Sequence, residues 1–314
     1  MDDELKVFAG SSNPGLADEI CERLGSQRSG LSVSRFSNDN LSVQVQENVR
    51  GRDVFVVQAF TRQVSEHILE LLITIDALRS ASARRITAVI PYYSYARSDK
   101  KDQPRISIAG RLVADLLKTA GADRVLTVDL HADQVHGFFS MPVDHLTAVP
   151  IVAEHVRATC DLSKVVAVAS DAGGAKRAGR FASHLDVPLA IIDKRRVSDT
   201  EVKHGHVVGD VEGKDAIVFE DEIATGGTLV ATARTLQMAG AGRVIGAATH
   251  GVLVGEAMDR IRNSPIERVI VTNTVAVPEE KRLHNLEVLS VAPLMAEAIR
   301  RIHTGESLGA LFGA

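Results

Sequence analysis

Residues 216–228, AIVFEDEIATGGT, place acids, hydroxyls and glycines in an order suited to binding an anion. The apolar run 216–219 reads as a buried strand bounded by turn residues. Glu220, Asp221 and Glu222 follow it. Ala224, Thr225, Gly226, Gly227 and Thr228 then make a small-residue turn, and residues 229–239 read as a helix. A strand–turn–helix junction aims free backbone N–H groups and the positive end of the helix dipole at an anion. Glycine lets the backbone approach closely and take positive φ, and the threonine hydroxyls add donors. The acids ahead of the turn suit sugar hydroxyls or a divalent metal. A lone Gly-Gly would be no more than a tight turn with a solvated acidic rim. The combined order of acids, threonines and glycines favours phosphate binding.

Four other clusters could carry chemistry. Residues 165–169 read as a strand, and Ser170-Asp171-Ala172-Gly173-Gly174-Ala175-Lys176-Arg177 after them gives a second strand–glycine–helix turn, hence a second phosphate candidate. Asp193-Lys194-Arg195-Arg196 sets three consecutive cations at the end of a strand over 189–192, an arrangement suited to meeting an anion. A strand over 86–91 feeds a polar loop, 92–105, that holds Arg97, Ser98, Asp99, two lysines and all three tyrosines of the chain. Such a loop is either solvated or a lid. Asp129, His131, Asp133 and His136 end a strand over 124–128; a histidine there is a hydrogen-bonded cap or, with these acids, a metal ligand.

The elements that position these clusters alternate between strand and helix. Strands are expected at 5–9, 54–57, 207–211, 244–248 and 268–272. Helices are expected at 64–79, with Ile68, Leu71, Leu72 and Ile75 facing inward, and at 106–119, 150–158 and 294–303. Ser11-Ser12-Asn13-Pro14 opens a further helix with cap residues ahead of a proline. Residues 35–40, with Phe36, Asn38 and Asn40, form a turn between two strands. Ala120–Val125 is echoed at Ala239–Val244, and the same displacement carries His131 onto His250. This points to a duplicated α/β domain in which the 92–105 loop takes the place of the 224–228 turn. Domains are expected at 1–147 and 148–314.

The composition is that of a globular protein, 45% hydrophobic and 24% charged with net charge −4. Bulk attraction to nucleic acid or an anionic membrane is not expected, and no apolar run approaches membrane-spanning length. Cys21 and Cys160 show no metal or disulfide spacing, which favours a reducing cytoplasm. The acidic start MDDELKVFAG lacks the features of a signal peptide.

The 216–228 stretch resembles the phosphate loop of the type I phosphoribosyltransferase fold. With DLHADQVHGFF (129–139), DAGGAKR (171–177), IDKRR (192–196), VTNT (271–274) and Tyr95-Ala96-Arg97, the whole chain resembles the ribose-phosphate pyrophosphokinase family. The resemblance implies an α/β protein of two tandem, duplicated phosphoribosyltransferase-type domains, each a mainly parallel sheet flanked by helices. It implies transfer of the diphosphoryl group of Mg-ATP to the C1 hydroxyl of ribose 5-phosphate, giving 5-phosphoribosyl diphosphate (PRPP) and AMP. It assigns Mg²⁺ to His131 and Asp171. Lys194, Arg196 and Arg97 would stabilise the transferred group. Phe36, Asn38, Asn40, Arg97, Ser98, Asp99 and His131 would bind the nucleotide. Asp171, Glu220, Asp221, Ala224, Thr225, Gly226, Gly227 and Thr228 would bind ribose 5-phosphate. Relatives assemble as dimers and hexamers, so a homo-oligomer is expected, with its C-terminal tail packed back on the N-terminal domain.

The chain departs from that family in three places. Asn38 and Asn40 stand where relatives carry acids, Ala224 and Glu220 where they carry Asp, and Asp133 where a Ser helps bind activating phosphate. Looser base selection and weak phosphate activation are expected from these changes. Two other readings remain: a catalytically silent regulatory homologue, against which His131, Asp171, Lys194 and Arg196 argue, and a phosphoribosyltransferase, against which the 92–105 loop argues.

Overall fold

The computed structural model describes residues 4–193 and 206–312. Its elements in order are β1 (Leu5–Ala9), α1 (Pro14–Leu24), β2 (Leu31–Arg35), β3 (Leu41–Val45), β4 (Asp53–Val57), α2 (Val64–Ser80), β5 (Arg85–Ile90), α3 (Ala109–Ala120), β6 (Arg124–Val128), β7 (Val143–Leu146), α4 (Val149–Thr159), β8 (Val165–Ala169), α5 (Ala175–Leu185), β9 (Leu189–Asp193), β10 (His206–Val208), β11 (Asp215–Ile223), α6 (Gly227–Met238), β12 (Arg243–Gly251), α7 (Ala257–Arg262), β13 (Ile266–Thr272), β14 (Leu286–Leu289) and α8 (Ala292–Thr304). The chain forms two units, residues 1–147 with 274–276 and 290–314, and residues 148–273 with 277–289.

The first unit is built on a parallel sheet ordered β1-β4-β5-β6-β7. Strands buried on both faces, such as β4 with Val54, Phe55, Val56 and Val57, follow from helices covering the sheet. Asn13 caps α1 by accepting the Leu16 N–H, and Gly25 ends it with φ +65°. The last helix, α8, belongs to this unit. His303 Nδ1 lies 2.8 Å from the fully buried Asp53 carboxylate, and Arg85 Nη2 donates to the Ile302 carbonyl at 2.8 Å.

Helix α2 buries Ile68, Leu71 and Ile75 as expected, while Leu72 is only half-buried. It also buries Glu70, whose carboxylate accepts the Ser11 N–H at 2.7 Å and the Ser11 hydroxyl at 2.5 Å. The β1–α1 turn is thus held from inside by a carboxylate that the periodicity of α2 does not reveal. Helix α3 begins at Ala109, three residues after the expected start, because Ser98 gathers both ends of the preceding loop. Its Oγ accepts the Ala109 N–H at 3.1 Å and its carbonyl accepts the Gly110 N–H at 3.1 Å.

The second unit has the order β10-β9-β8-β11-β12-β13-β14, parallel except for β10 against β9. The chain steps from β8 outward to β9 and then crosses to β11 on the other side of β8. Such a reversal opens a crevice at the carboxyl ends of the two central strands, the usual ligand site of open α/β sheets. The turns that carry Asp171 and Thr225–Thr228 leave those two ends. The sequence repeat appears as strand–loop–helix–strand in both units, β5-α3-β6 and β11-α6-β12, with Gly121 and Gly240 at positive φ after each helix.

Strand β11 runs nine residues rather than four. The three acids lie inside it, and Glu220 and Glu222 are in register with Ala248 and His250 of β12. They are not the solvated rim that a lone turn would carry: Asp221 is only 4% exposed. Strands β7 and β14 and helix α7 are additional to the expected elements. The strand expected at 207–211 is the shorter β10.

Candidate active site

In the second unit, packing of α5 on β11 builds the acidic part of the site. Phe219 and Asp221 share one face of β11, and Arg177 and Phe181 share one face of α5. Phe181 stacks on Phe219 with centroids 4.5 Å apart and planes 7° from parallel. With that contact made, Arg177 Nη1 meets Asp221 Oδ1 at 3.0 Å and stands 3.8 Å from Glu220 Oε2. Arg177 lies within DAGGAKR, and neither the motif nor its spacing assigns it a role. The clue in the sequence is a cation in the first turn of the helix after a glycine turn, opposite in charge to the acids of the next strand.

Burial pushes the Glu220 carboxyl up from its ordinary pKa, with the Asp221 and Asp171 charges adding to the rise; the Ser170 hydrogen bond and the Arg177 charge oppose it. Its Oε1 is buried and has no hydrogen-bond partner among the described residues. A folded-state pKa above the unfolded value makes the ionised side chain a cost to the fold. The cost is absent below the unfolded pKa and grows as pH rises through the folded one. Glu220→Gln is therefore expected to raise the urea midpoint of the ligand-free protein at about pH 8 and to change it much less at about pH 5. A gain confined to the acid side would contradict this assignment.

Beyond β11 the turn at 224–226 enters α6 through Gly226 at φ +73°, a conformation that costs any residue with a Cβ about 1–2 kcal/mol. The N-cap of α6 is Gly226, which has no side chain to cap the helix, so the N-cap supplies no acceptor to the first N–H groups, which have none within the helix. The turn is held from behind: Ala224 O accepts the Val254 N–H at 2.9 Å, and Ile223 O accepts that of Leu253 at 2.9 Å. At the end of β8, Asp171 is exposed and its Oδ1 accepts the Gly174 N–H at 3.0 Å. This second glycine turn is thus capped by its own carboxylate.

In the first unit the loops that follow the adjacent strands β5 and β6 carry four of the expected nucleotide residues, Arg97, Ser98, Asp99 and His131. Tyr92, Tyr93 and Ala96 are buried, and the Tyr93 hydroxyl donates to Gly110 O at 2.9 Å. The start of the 92–105 loop is therefore core. Ser98 ties the base of the remainder, and residues 100–105 form its exposed part. Gln134 Nε2 donates to Asp99, which joins this loop to the one carrying His131. Arg97 and His131 are exposed. The β2–β3 hairpin presents Phe36, 61% exposed, at its tip. Asn38 is exposed, and its Oδ1 accepts the Asn40 N–H at 3.3 Å. Lys194 and Arg196 lie outside the described residues.

Among the described residues no group of three or more His, Cys, Asp or Glu side chains forms a metal cage. His131 and Asp171, the residues expected to hold Mg²⁺, are both exposed, and Mg²⁺ ordinarily keeps several waters and takes one or two protein ligands plus phosphate oxygens. No described helix is long and apolar enough to cross a membrane.

Comparison with known proteins gives one answer along the chain. The family profile for the N-terminal domain of ribose phosphate pyrophosphokinase matches residues 5–121, and that for the phosphoribosyl synthetase-associated domain matches residues 201–313. The ribose-phosphate pyrophosphokinase of Deinococcus radiodurans is 53% identical over 312 residues, covering 98% of each chain. That of Bacillus caldolyticus is 48% identical over 309 residues, with 98% of each chain covered. The crystal structure of phosphoribosylpyrophosphate synthetase from Mycobacterium smegmatis superposes with a TM-score of 0.91 at 43% identity, over 96% of this chain and 100% of that one. The two-unit α/β architecture, the loops at the strand ends and these full-length similarities agree: the chain belongs to the ribose-phosphate pyrophosphokinase family.

Proposed function

We propose that the protein transfers the β,γ-diphosphoryl group of Mg-ATP to the C1 hydroxyl of ribose 5-phosphate, releasing AMP and PRPP. Full-length identity of about half to ribose-phosphate pyrophosphokinases carries this reading. The glycine N-cap of α6 at the β8/β11 crevice supports it from the acceptor side.

The backbone N–H groups from Thr225 to Thr228 hold the 5-phosphate, with Gly226 giving the turn its positive φ. Asp221 and Glu220 accept hydrogen bonds from the ribose hydroxyls, and Glu220 Oε1, without a partner among the described residues, is the atom with capacity to spare. Arg177 holds the Asp221 carboxylate in place for that task. Phe36 stacks on the base, and Asn38 and Asn40 meet its edge. His131 and Asp171 hold Mg²⁺ directly or through its waters; when bound, the ion neutralises part of the roughly four negative charges of the triphosphate. Lys194, Arg196 and Arg97 meet the charge that develops on the transferred group. Closure of residues 100–105 excludes water, the competing acceptor. The test is a nucleotide assay in which AMP forms only when ribose 5-phosphate is present; ADP as the product would overturn the reading.

An exposed amide at Asn38, where relatives carry an acid, predicts relaxed base selection. A carboxylate only accepts, whereas an amide also donates and can meet the carbonyl oxygen of guanine. Discrimination against GTP is expected to weaken by about 1 kcal/mol, or roughly fivefold in kcat/KM, relative to an Asn38→Asp variant. Equal ATP/GTP ratios in the two proteins would remove the argument. The same reading places the enzyme in the cytoplasm as a homo-oligomer, a dimer or hexamer, with no nucleic-acid or membrane partner.

A further inference from the structure

The acceptor turn has a support outside its own sequence. Residues 224–228 contain no cation, yet a guanidinium stands against them. Arg260, in α7, donates from Nη1 to the Thr225 carbonyl at 3.4 Å and from Nη2 to the Glu256 carboxylate at 3.0 Å. A Cβ added at Gly227 would lie 3.3 Å from Arg260 Nη1, and one at Gly226 would lie 3.5 Å from the Ala257 carbonyl. Ala257 and Ile261 are buried on the face of α7 that meets Gly226, so the short helix packs flush against the turn, with the exposed Arg260 beside that contact. Arg260 also lines a surface cleft of about 300 Å³ with Val230, Arg234, Glu256, Asp259 and Asn263. The two acids and two arginines there balance in charge, and Asp259 is itself paired with Arg262 at 2.9 Å.

From this geometry we infer that Arg260 is a positioning residue of the acceptor site: bridged between Glu256 and the Thr225 carbonyl, it fixes the turn in the form that receives the sugar phosphate. The inference rests on the reading of 224–228 as the 5-phosphate turn. A peptide carbonyl pinned at Thr225 sets the direction of the next N–H group, because the peptide unit is planar. The N–H groups that follow then converge before substrate arrives, and the ordering of the turn is not charged against binding. The phosphate keeps the same partners throughout the reaction, so the effect is on uniform binding and falls on KM rather than kcat.

The test is steady-state kinetics of full-length wild type, Arg260→Gln, Arg260→Lys and Glu256→Gln, with ribose 5-phosphate and Mg-ATP varied separately. Arg260→Gln is expected to raise KM for ribose 5-phosphate about tenfold, with kcat and KM for ATP within about twofold of wild type. Lysine supplies a point charge without the fork and should recover part of the loss. Glu256→Gln should shift KM the same way by less. An unchanged KM for ribose 5-phosphate in Arg260→Gln, or an equal fall in kcat and rise in both KM values, overturns the inference. Titration calorimetry with ribose 5-phosphate separates the two levels of the argument. Wild type that binds while Arg260→Gln binds equally well defeats only the role of Arg260. Wild type that fails to bind defeats the acceptor-turn reading and this inference with it.

Discussion

Arg177→Gln is expected to cost both stability and acceptor binding. Asp221 is buried and meets Arg177 at 3.0 Å. Removing one partner of a buried pair leaves an uncompensated charge, a loss of about 3–5 kcal/mol for a fully enclosed pair. Arg177 keeps 22% of its side chain exposed, so water can partly replace it, and about 2–3 kcal/mol is the expected destabilisation. Acceptor binding should suffer as well, because Asp221 and Glu220 would then share the site without their cation. We expect kcat/KM for ribose 5-phosphate to fall by about 10² or more. The variant pair separates the two effects. Adding Asp221→Asn removes the orphaned charge, so Arg177→Gln/Asp221→Asn should be more stable than Arg177→Gln alone and equally inactive. Additive stability losses would show that the two side chains do not interact.

Lys194→Ala is expected to lower kcat by about 10²–10³, the usual effect of removing one preorganised charge-stabilising group, about 3 kcal/mol. The diphosphoryl group carries its charge through the transfer, and little covalent work is left for the protein beyond positioning and charge stabilisation. Both KM values should stay near wild type, since an interaction made only in the transition state lowers kcat and kcat/KM equally. Arg196→Ala should behave alike, and the double variant should lose less than the product of the single losses if both serve one developing charge. Arg195→Ala, assigned no role, is the control. A KM effect without a kcat effect at Lys194 would make it a substrate-binding group instead.

Much of this architecture is legible in the sequence because turn chemistry and apolar runs agree there. β1, β6 and β8 have the expected limits, being short apolar runs closed by polar turns. The elements left out are those with weak patterns. β7 interposes Asp144 and His145, and both are used: Asp144 pairs with Arg124 at 2.5 Å, and His145 Nε2 accepts the Leu130 N–H at 2.8 Å. α7 spans six residues, too few for a helical period to show.

The site was visible as motifs but not as contacts. The acids at 220–222 look like a strand end because charged residues seldom continue a buried strand. Here they do so because Arg177 covers Asp221. Arg260 and Glu70 gave no signal, since an arginine on a short helix and a glutamate in an amphipathic one look like surface residues. Both take their meaning from segments far away in sequence, Thr225 and Ser11 respectively. Ser98 has a structural part that its place among the expected nucleotide residues does not reveal. Beside any contact with the nucleotide, its hydroxyl and carbonyl close the base of the 99–107 loop.

Phosphorus-31 NMR of the purified protein with Mg-ATP and ribose 5-phosphate, without added inorganic phosphate, tests the central claim most directly. The account predicts AMP rising in step with the paired diphosphate doublets of PRPP. The weak phosphate activation expected from Asp133 in place of a serine predicts that added phosphate, at fixed ionic strength and free Mg²⁺, changes the rate little. ATP left unconsumed, with and without phosphate and with other nucleoside triphosphates in its place, would contradict the account.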